Sequence, residues 1–158
     1  MKNKTITSLI ITLTILNVEV FGQNIAVNMV ILCNEKLINS QLSNVHFVVT
    51  TDQKDYNLPV DYLPGDLLLP KKIYDTILSD SVKSLRLFFD LNTFNGQNHY
   101  VLNIKTDFPK GLFDQPYLVL NVFDFKEKKY RRQFSYLTED EFICEFSFPN
   151  SGTRLIRR

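Results

Sequence analysis

The sequence of 158 residues has no tryptophan, two histidines, two cysteines and five glycines. Neither His46 nor His99 has a second histidine, a cysteine or a carboxylate at the spacing that zinc sites use. The few glycines form no phosphate-binding loop, and no serine stands in the Gly-x-Ser-x-Gly pattern of many hydrolases. We therefore expect a protein that is not an enzyme and that uses no metal and no cofactor.

No stretch of the sequence is apolar over the roughly 20 residues that a membrane-spanning helix requires. A shorter apolar segment at residues 6–16 follows two lysines and ends shortly before Gly22. A basic start, a short apolar core and small residues before a cleavage point are typical of a secretory signal peptide. We predict cleavage after Gly22, which leaves a signal peptide of residues 1–22 and a single domain of residues 23–158.

The predicted cleavage point also bears on lipid attachment and on the compartment. A lipoprotein needs a cysteine directly after the cut, but the first cysteine is Cys33 and the large Leu32 precedes it. The stretch Phe21-Gly22-Gln23 resembles export signals that are common in Bacteroidetes-type bacteria. We expect an exported protein, periplasmic or extracellular, that is not a lipoprotein and has no stable membrane insertion after signal removal.

The predicted mature chain has no excess of either charge. The chain has 18 basic and 17 acidic residues, and removal of Lys2, Lys4 and Glu19 leaves 16 of each. A neutral surface exerts no general attraction on nucleic acid or anionic lipid. We therefore expect no nucleic-acid partner.

The abundant side chains are β-branched, aliphatic and aromatic, and many alternate with polar residues at a period of two, as in half-buried strands. Strands are predicted at residues 25–33, 45–51, 85–91, 100–104, 118–125, 130–136 and 142–148. Asn95-Gly96 is a strong hairpin signal, and residues 126–129 are predicted to form a charged hairpin tip. The predicted fold class is all-β, a single antiparallel β-sandwich of about 7–9 strands.

One segment, residues 70–78, fits either a short helix or a strand. Pro70 occupies a plausible first helical position, and Ile73 and Ile77 would share one face of a helix. The sequence leaves both alternatives open.

Residues 39–70 carry a resemblance to a known family. A predicted strand and hairpin are followed by Asp61, then Gly65, then the apolar Leu67-Leu68-Leu69 ending at Pro70. This order resembles the front half of transthyretin-like and carboxypeptidase-regulatory-like sandwich domains. The resemblance implies a β-sandwich with an accessory, structural or binding role, and it brings no catalytic residues.

The two cysteines lie on the apolar faces of the first and the last predicted strands. In an exported protein, Cys33 and Cys144 invite a disulfide, which would close a loop of about 110 residues and add roughly 4–5 kcal/mol of stability. The alternative is two buried free thiols that pack as small apolar side chains. The sequence leaves both open.

Two groups of side chains are candidate binding residues. Aromatic residues in or near predicted loops offer rings on which sugars stack: Tyr56, Tyr62, Tyr74 and Phe94. A basic cluster follows the predicted central strand: Lys126, Lys128, Lys129, Arg131 and Arg132. This cluster is either a solvated hairpin that discourages edge pairing or a docking patch for a protein or an acidic glycan.

Three functions remain after these exclusions. The first is a non-catalytic interaction module that binds another envelope or secreted protein, or helps to build a surface assembly, with an exposed sheet edge that accepts a partner strand. The second is a carbohydrate-binding module that uses the loop tyrosines. The third is a hydrolase built on paired carboxylates, for which the sequence supplies no positive sign beyond the number of aspartates.

Overall fold

The computed structural model describes residues 23–136 and 141–151. The predicted signal peptide therefore lies outside the described residues. The described elements, in chain order, are β1 (Asn24–Cys33), β2 (Lys36–Leu37), β3 (Leu42–Thr51), β4 (Asp55–Pro59), β5 (Asp61–Leu63), β6 (Gly65–Pro70), α1 (Lys71–Leu78), β7 (Val82–Asn95), β8 (Asn98–Asp107), a 3-10 helix (Lys110–Asp114), β9 (Leu118–Asp124), α2 (Lys128–Gln133) and β10 (Phe142–Ser147).

The strands form two sheets, which confirms the predicted β-sandwich. The six-stranded sheet has the order β10-β9-β1-β6-β5, with β2 also paired to β1, and the four-stranded sheet has the order β4-β3-β7-β8. Ten strands are described rather than 7–9. Four of them, β2, β4, β5 and β6, lie outside the predicted strand ranges, and β2 and β5 are too short, at two and three residues, to show alternation. The sandwich is not purely antiparallel, since β1 and β9 pair in parallel.

The core lies between the two sheets and is built from the alternating faces of the strands. One sheet contributes Met29, Ile31 and Leu120, and the other contributes Leu87 and Phe89, all with almost no exposed surface. Their period-two spacing is the reason that one face of each strand is apolar and buried. The predicted alternation therefore identifies the core correctly for β1, β3, β7, β8 and β9.

Two short α-helices interrupt the strands. The sequence allowed a helix at the first of these segments and predicted a strand at the second. The segment left open at residues 70–78 is the helix α1, with Ile77 buried. The predicted strand at residues 130–136 and the predicted hairpin tip at 126–129 are wrong, because a turn after β9 leads directly into α2 at Lys128–Gln133. Tyr130 and Phe134 are four residues apart, a spacing that places both on one face of a helix as well as of a strand.

The choice between helix and strand in α2 follows from the residues around those two aromatic side chains. Lysine, arginine and glutamine are good helix formers, and a helix turns Arg132 away from the face that carries Tyr130 and Phe134. A strand would place Arg132 on that same face. The helix buries the two aromatic rings against Phe123 and Phe125 in a small second core on the outer side of the six-stranded sheet.

The β1–β2 hairpin contains a tight turn in which the backbone of Glu35 is strained. Asn34 and Glu35 form its two-residue loop, and both have positive φ, 52° and 66°. Such loops favour glycine at the second position, because a Cβ atom costs about 1–2 kcal/mol in the left-handed region. Glu35 also bonds Lys129, with 2.9 Å between the carboxylate and Nζ.

Replacing Glu35 with glycine is expected to stabilise the protein relative to replacement with alanine. Both changes remove the Lys129 ion pair, but only glycine also removes the Cβ atom that disfavours positive φ. We expect Glu35→Gly to exceed Glu35→Ala by about 1 kcal/mol in the free energy of unfolding, measured by urea denaturation. Equal stability of the two variants would contradict the assignment of strain to this turn.

Candidate binding surface at the β10 edge

β10 is an edge strand with an unusual composition for an edge. Its residues, Phe-Ile-Cys-Glu-Phe-Ser, include one charge, no proline and no lysine, and every side chain is half-buried. Among the described strands only β9 pairs with it, in the register from Phe142 opposite Asp124 to Ser147 opposite Val119. Long apolar edges without such protective residues accept further strands readily.

The hydrogen bonds of β10 show which of its backbone groups remain available. The Phe125 amide donates to the Glu141 carbonyl at 3.0 Å, which makes these two residues a hydrogen-bonded pair. Bonded and non-bonded pairs alternate along an antiparallel ladder. The next bonded residues of β10 are therefore Ile143, Glu145 and Ser147, while the backbone N–H and C=O groups of the intervening residues point to the open edge: Phe142, Cys144 and Phe146.

The side chains of those edge-directed residues fix the strand on the core. Phe142, Cys144 and Phe146 pack against the main core cluster. The Phe146 ring meets the Phe108 ring edge to face, with 5.3 Å between the ring centroids. Because these side chains are anchored, the open edge is held in the extended conformation that a further strand needs.

Three other strands stand at the ends of the two strand orders, and each carries features that oppose strand addition. β4 contains Pro59 and is mostly exposed, and β5 has three residues followed by Pro64. β8 is long, but its exposed face carries Lys105 and Asp107 near its end. Prolines, charges and short length are the usual protection of sheet edges, so β10 is the least protected of the four.

The two cysteines are not bridged, so the disulfide alternative is wrong and the free-thiol alternative is confirmed. In the six-stranded sheet, Cys33 of β1 and Cys144 of β10 both pair with Val122, which stands between them in β9. Two strand spacings separate the cysteines by about 9.6 Å, whereas a disulfide needs Cα atoms within about 7 Å. A disulfide would have required β1 and β10 to be neighbouring strands, but β9 lies between them.

Burial also makes both thiols unreactive. Desolvation, helped by the nearby Asp124 carboxylate, raises the pKa of Cys33 to about 12. Desolvation likewise raises the pKa of Cys144 to about 12, against a smaller opposing effect of a hydrogen bond with Thr106. The nucleophile in cysteine chemistry is the thiolate, so both side chains act as packing groups near neutral pH.

A buried carboxylate joins the ends of three strands. Asp124 is 1% exposed and accepts hydrogen bonds from the Tyr100 hydroxyl and, at 2.9 Å, from the Lys126 amide. Its own amide donates to the Asn34 side-chain oxygen at 2.9 Å. Burial, and then the hydrogen bond to Asp124, raise the pKa of Tyr100. This network fastens β8 and β1 to the end of β9.

This network was not predicted, although the sequence contains a signal for it. Asp124 follows Leu118, Leu120 and Val122 at a spacing of two, which places a carboxylate on the inward face of a central strand. A buried carboxylate requires hydrogen-bond donors. Its partners were not predictable, because Tyr100 lies 24 residues away on the other sheet.

The four candidate aromatic residues lie in three strands and a helix, and Phe94 is next to the tip of the β7–β8 hairpin. Tyr56 in β4 stands level with Leu85 of β7, because both flank Val49. Phe94 is nine residues further along β7, which is about 30 Å at the rise of a strand. Tyr56 and Phe94 therefore stand at opposite ends of the four-stranded sheet.

The other two candidate aromatic residues have structural contacts. The Tyr62 hydroxyl accepts a hydrogen bond from the Ile31 amide at 3.0 Å, and its ring packs on the core. Tyr74 in α1 meets the Phe113 ring edge to face, with 5.5 Å between centroids. The four rings are not brought together into one stacking platform.

The basic cluster is exposed along α2. Lys128, Arg131 and Arg132 are exposed, and Lys129 pairs with Glu35, whose side-chain hydrogen bond raises the pKa of Lys129. An exposed pair of this kind contributes little to stability. The docking role of this cluster stays a prediction.

The two histidines make local contacts on the outer face of the four-stranded sheet. His46 Nδ1 is 2.7 Å from the Asn44 carbonyl oxygen, and its ring stacks on Phe88 at 5.4 Å between centroids. His99 Nε2 is 3.2 Å from the Asn92 side-chain oxygen. Within residues 23–136 and 141–151, no group of three or more His, Cys, Asp or Glu side chains is placed to hold a metal ion.

An open cleft of about 470 Å³ lies between the start of β7 and the end of β8. Two lysines line it, and both already have partners: Lys83 Nζ is 3.4 Å from the Asp52 carboxylate, and Lys110 Nζ donates to the Ser79 carbonyl at 2.6 Å.

No helix within the described ranges has the length and apolarity needed to cross a bilayer.

Comparison of the chain with protein-family models, with curated proteins and with solved structures gave no match. The resemblance to transthyretin-like and carboxypeptidase-regulatory-like domains therefore stays a prediction. The geometry of the molecule itself, and the β10 edge above all, supports the functional proposal.

Proposed function

We propose that this protein is an exported, non-catalytic β-sandwich module that binds a protein partner by accepting a partner strand at β10. The observation that carries the proposal is the edge itself. Six half-buried residues present three sets of edge-directed backbone groups, and β10 has neither the prolines nor the lysines that protect other edges. Strand addition to such an edge is a recurrent mode of peptide recognition.

The anchoring of β10 supports strand addition over a less specific contact. Phe146 is locked against Phe108, and the core also holds Phe142 and Cys144. A preformed edge spares the partner the cost of ordering its receptor, so binding requires ordering of the incoming strand alone. Main-chain hydrogen bonds would supply affinity and the outward side chains would supply specificity.

The glycan alternative has less support. Tyr56 and Phe94 lie about 30 Å apart along the four-stranded sheet, and Tyr62 and Tyr74 contact the protein itself. One short oligosaccharide cannot stack on rings so far apart. We expect no retardation of the protein in affinity electrophoresis through soluble polysaccharides.

Strand addition is tested by amide hydrogen exchange with a synthetic strand. The probe is a capped seven-residue peptide of alternating threonine and valine with glutamine at its centre. Binding should slow exchange at Phe142, Cys144 and Phe146, whose amides face the open edge, and leave Ile143 and Glu145 unchanged, since β9 already bonds them.

A matched control uses the same peptide with N-methyl groups on the amides that would bond β10. This peptide retains every side chain but cannot donate to the ladder, so it should leave exchange unchanged. Protection by both peptides, or by neither at millimolar concentration, would refute strand addition at β10.

A further inference from the structure

The β10 edge contains one charged side chain, and that charge has no partner among the described residues. Glu145 faces the outer side of the six-stranded sheet, opposite Asn121 of β9. The next residue in the same row is Leu32 of β1, followed by Leu37 of β2. Its neighbours across the sheet are therefore an amide and two leucines, with no cation between them.

The surroundings of Glu145 remove part of its hydration and supply no opposite charge in return. Its side chain is half-buried, and desolvation alone raises its pKa, with no contribution from a neighbouring charge. A carboxylate that loses hydration without gaining an ion pair or hydrogen bonds is destabilised. A strand added at β10 would cover this carboxylate further, so the chemistry of the incoming strand decides whether docking is favourable.

The ladder geometry defines which residue of an added strand meets Glu145. The backbone of Glu145 bonds β9, so the residue opposite it in an antiparallel addition belongs to a non-bonded pair, the closer of the two types, with Cα atoms about 4.5 Å apart. Both side chains of such a pair stand on the same face of the sheet. A lysine or arginine there lies within reach of the Glu145 carboxylate.

We propose that the partner segment accepted at β10 is a basic strand, with an arginine or lysine opposite Glu145 and an apolar residue opposite Ile143. This inference rests on the proposed function and adds the chemical class of the partner. The cation would restore the electrostatic stabilisation that Glu145 lacks, and an acidic residue at that position would be excluded by repulsion. The charge thereby acts as a selectivity element on an edge that is otherwise apolar.

Three forms of the peptide probe test this inference, with arginine, glutamine or glutamate at the central position. We expect the arginine form to bind about tenfold more tightly than the glutamate form, equivalent to about 1.4 kcal/mol, with the glutamine form between them. Binding is measured by titration followed through the Phe142 and Phe146 amide signals. The Glu145→Gln variant should lose this discrimination, and Glu145→Lys should reverse it.

The matched control variant is Asp61→Asn. Asp61 also lies on the outer face of the six-stranded sheet, but in β5 at the opposite edge, and its removal changes the net charge equally. This variant should keep the tenfold preference for arginine. A preference lost in Asp61→Asn would show that net charge, not Glu145, selects the peptide, and would overturn the inference.

The remaining outcomes separate this inference from the proposed function. Equal binding of all three peptides would overturn the basic preference and leave strand addition standing. Binding of none of the peptides, either to the full chain or to a chain that ends at Ser151, would overturn both. The segment of residues 152–158 contains three arginines, so a chain that ends at Ser151 is tested as well. If the peptides bind only the shortened chain, the natural occupant of the β10 edge is the chain's own segment of residues 152–158, and the proposal of a separate basic partner is wrong.

Discussion

Replacing Phe108 with alanine is expected to lower the free energy of unfolding by about 3–5 kcal/mol. The side chain has no exposed surface, and its ring lies about 5 Å from the rings of three residues in different elements: Phe47 of β3, Phe113 of the 3-10 helix and Phe146 of β10. Alanine would leave a cavity where both sheets meet. The loss is a large part of the 5–15 kcal/mol that stabilises a typical domain. Urea denaturation measures it.

The matched control is Phe94→Ala. Phe94 is the same residue type but 63% exposed, near the tip of the β7–β8 hairpin. Exposed substitutions of this kind usually change stability by less than about 0.5 kcal/mol. If the two variants lost stability equally, Phe108 would not be the residue that joins the two sheets.

Replacing Tyr100 with phenylalanine is expected to cost about 1–3 kcal/mol of stability, although the change removes a single oxygen atom. The hydroxyl donates to the buried Asp124 carboxylate, and phenylalanine would leave that carboxylate with one fewer donor in a site that excludes water. Thermal unfolding at pH 7 gives the magnitude. The control is Tyr117→Phe, at an exposed position. Equal effects of the two changes would refute a role for the Asp124 network.

The alkaline pH dependence gives the same prediction a second test. The pKa of Tyr100 is raised in the folded state, so the folded protein holds this proton more tightly than the unfolded chain does. Stability is therefore lost as the pH rises above the ordinary tyrosine pKa of about 10. The Tyr100→Phe variant should show a shallower loss above pH 10. The loss does not disappear in this variant, because the pKa values of Cys33 and Cys144 are also raised in the folded state, to about 12. These thiols therefore also make the protein less stable as the pH rises, beginning near the ordinary cysteine pKa of about 8.5.

The fold class was predictable because the core residues repeat at a period of two. Met29 and Ile31, or Leu87 and Phe89, differ in position by two, so the buried face of each long strand is visible in the sequence. The α2 segment was mistaken for a strand because Tyr130 and Phe134 satisfy both periods. β2 and β5 were missed because two or three residues cannot show a period at all. β4 is almost wholly exposed and β6 has three successive leucines, so neither shows an alternating apolar face in the sequence.

The binding surface was less accessible to sequence analysis than the fold was. The composition of β10 was visible, but the position of β10 at an edge depends on the strand order, which pairs β9 with β1 and leaves the last strand outermost. The same strand order separates Cys33 from Cys144, and the sequence could not exclude their bridge. The separation of the candidate aromatic residues has a related cause. The registers of β4 and β7 on β3 place Tyr56 and Phe94 at opposite ends of the sheet, and a sequence does not show strand register.

The parallel pairing of β1 with β9 has a consequence for the rate of folding. Met29 pairs with Leu118, 89 positions further along the chain, whereas β3 with β4 and β7 with β8 are local hairpins. Contacts between distant residues form slowly, because a long loop must close first. We expect the local hairpins to form early and the β1–β9 pairing, which brings β9 and β10 into the six-stranded sheet, to form late. If the chain is exported unfolded, as the proposed function requires, such a late closing step would keep it extended through most of its passage across the membrane.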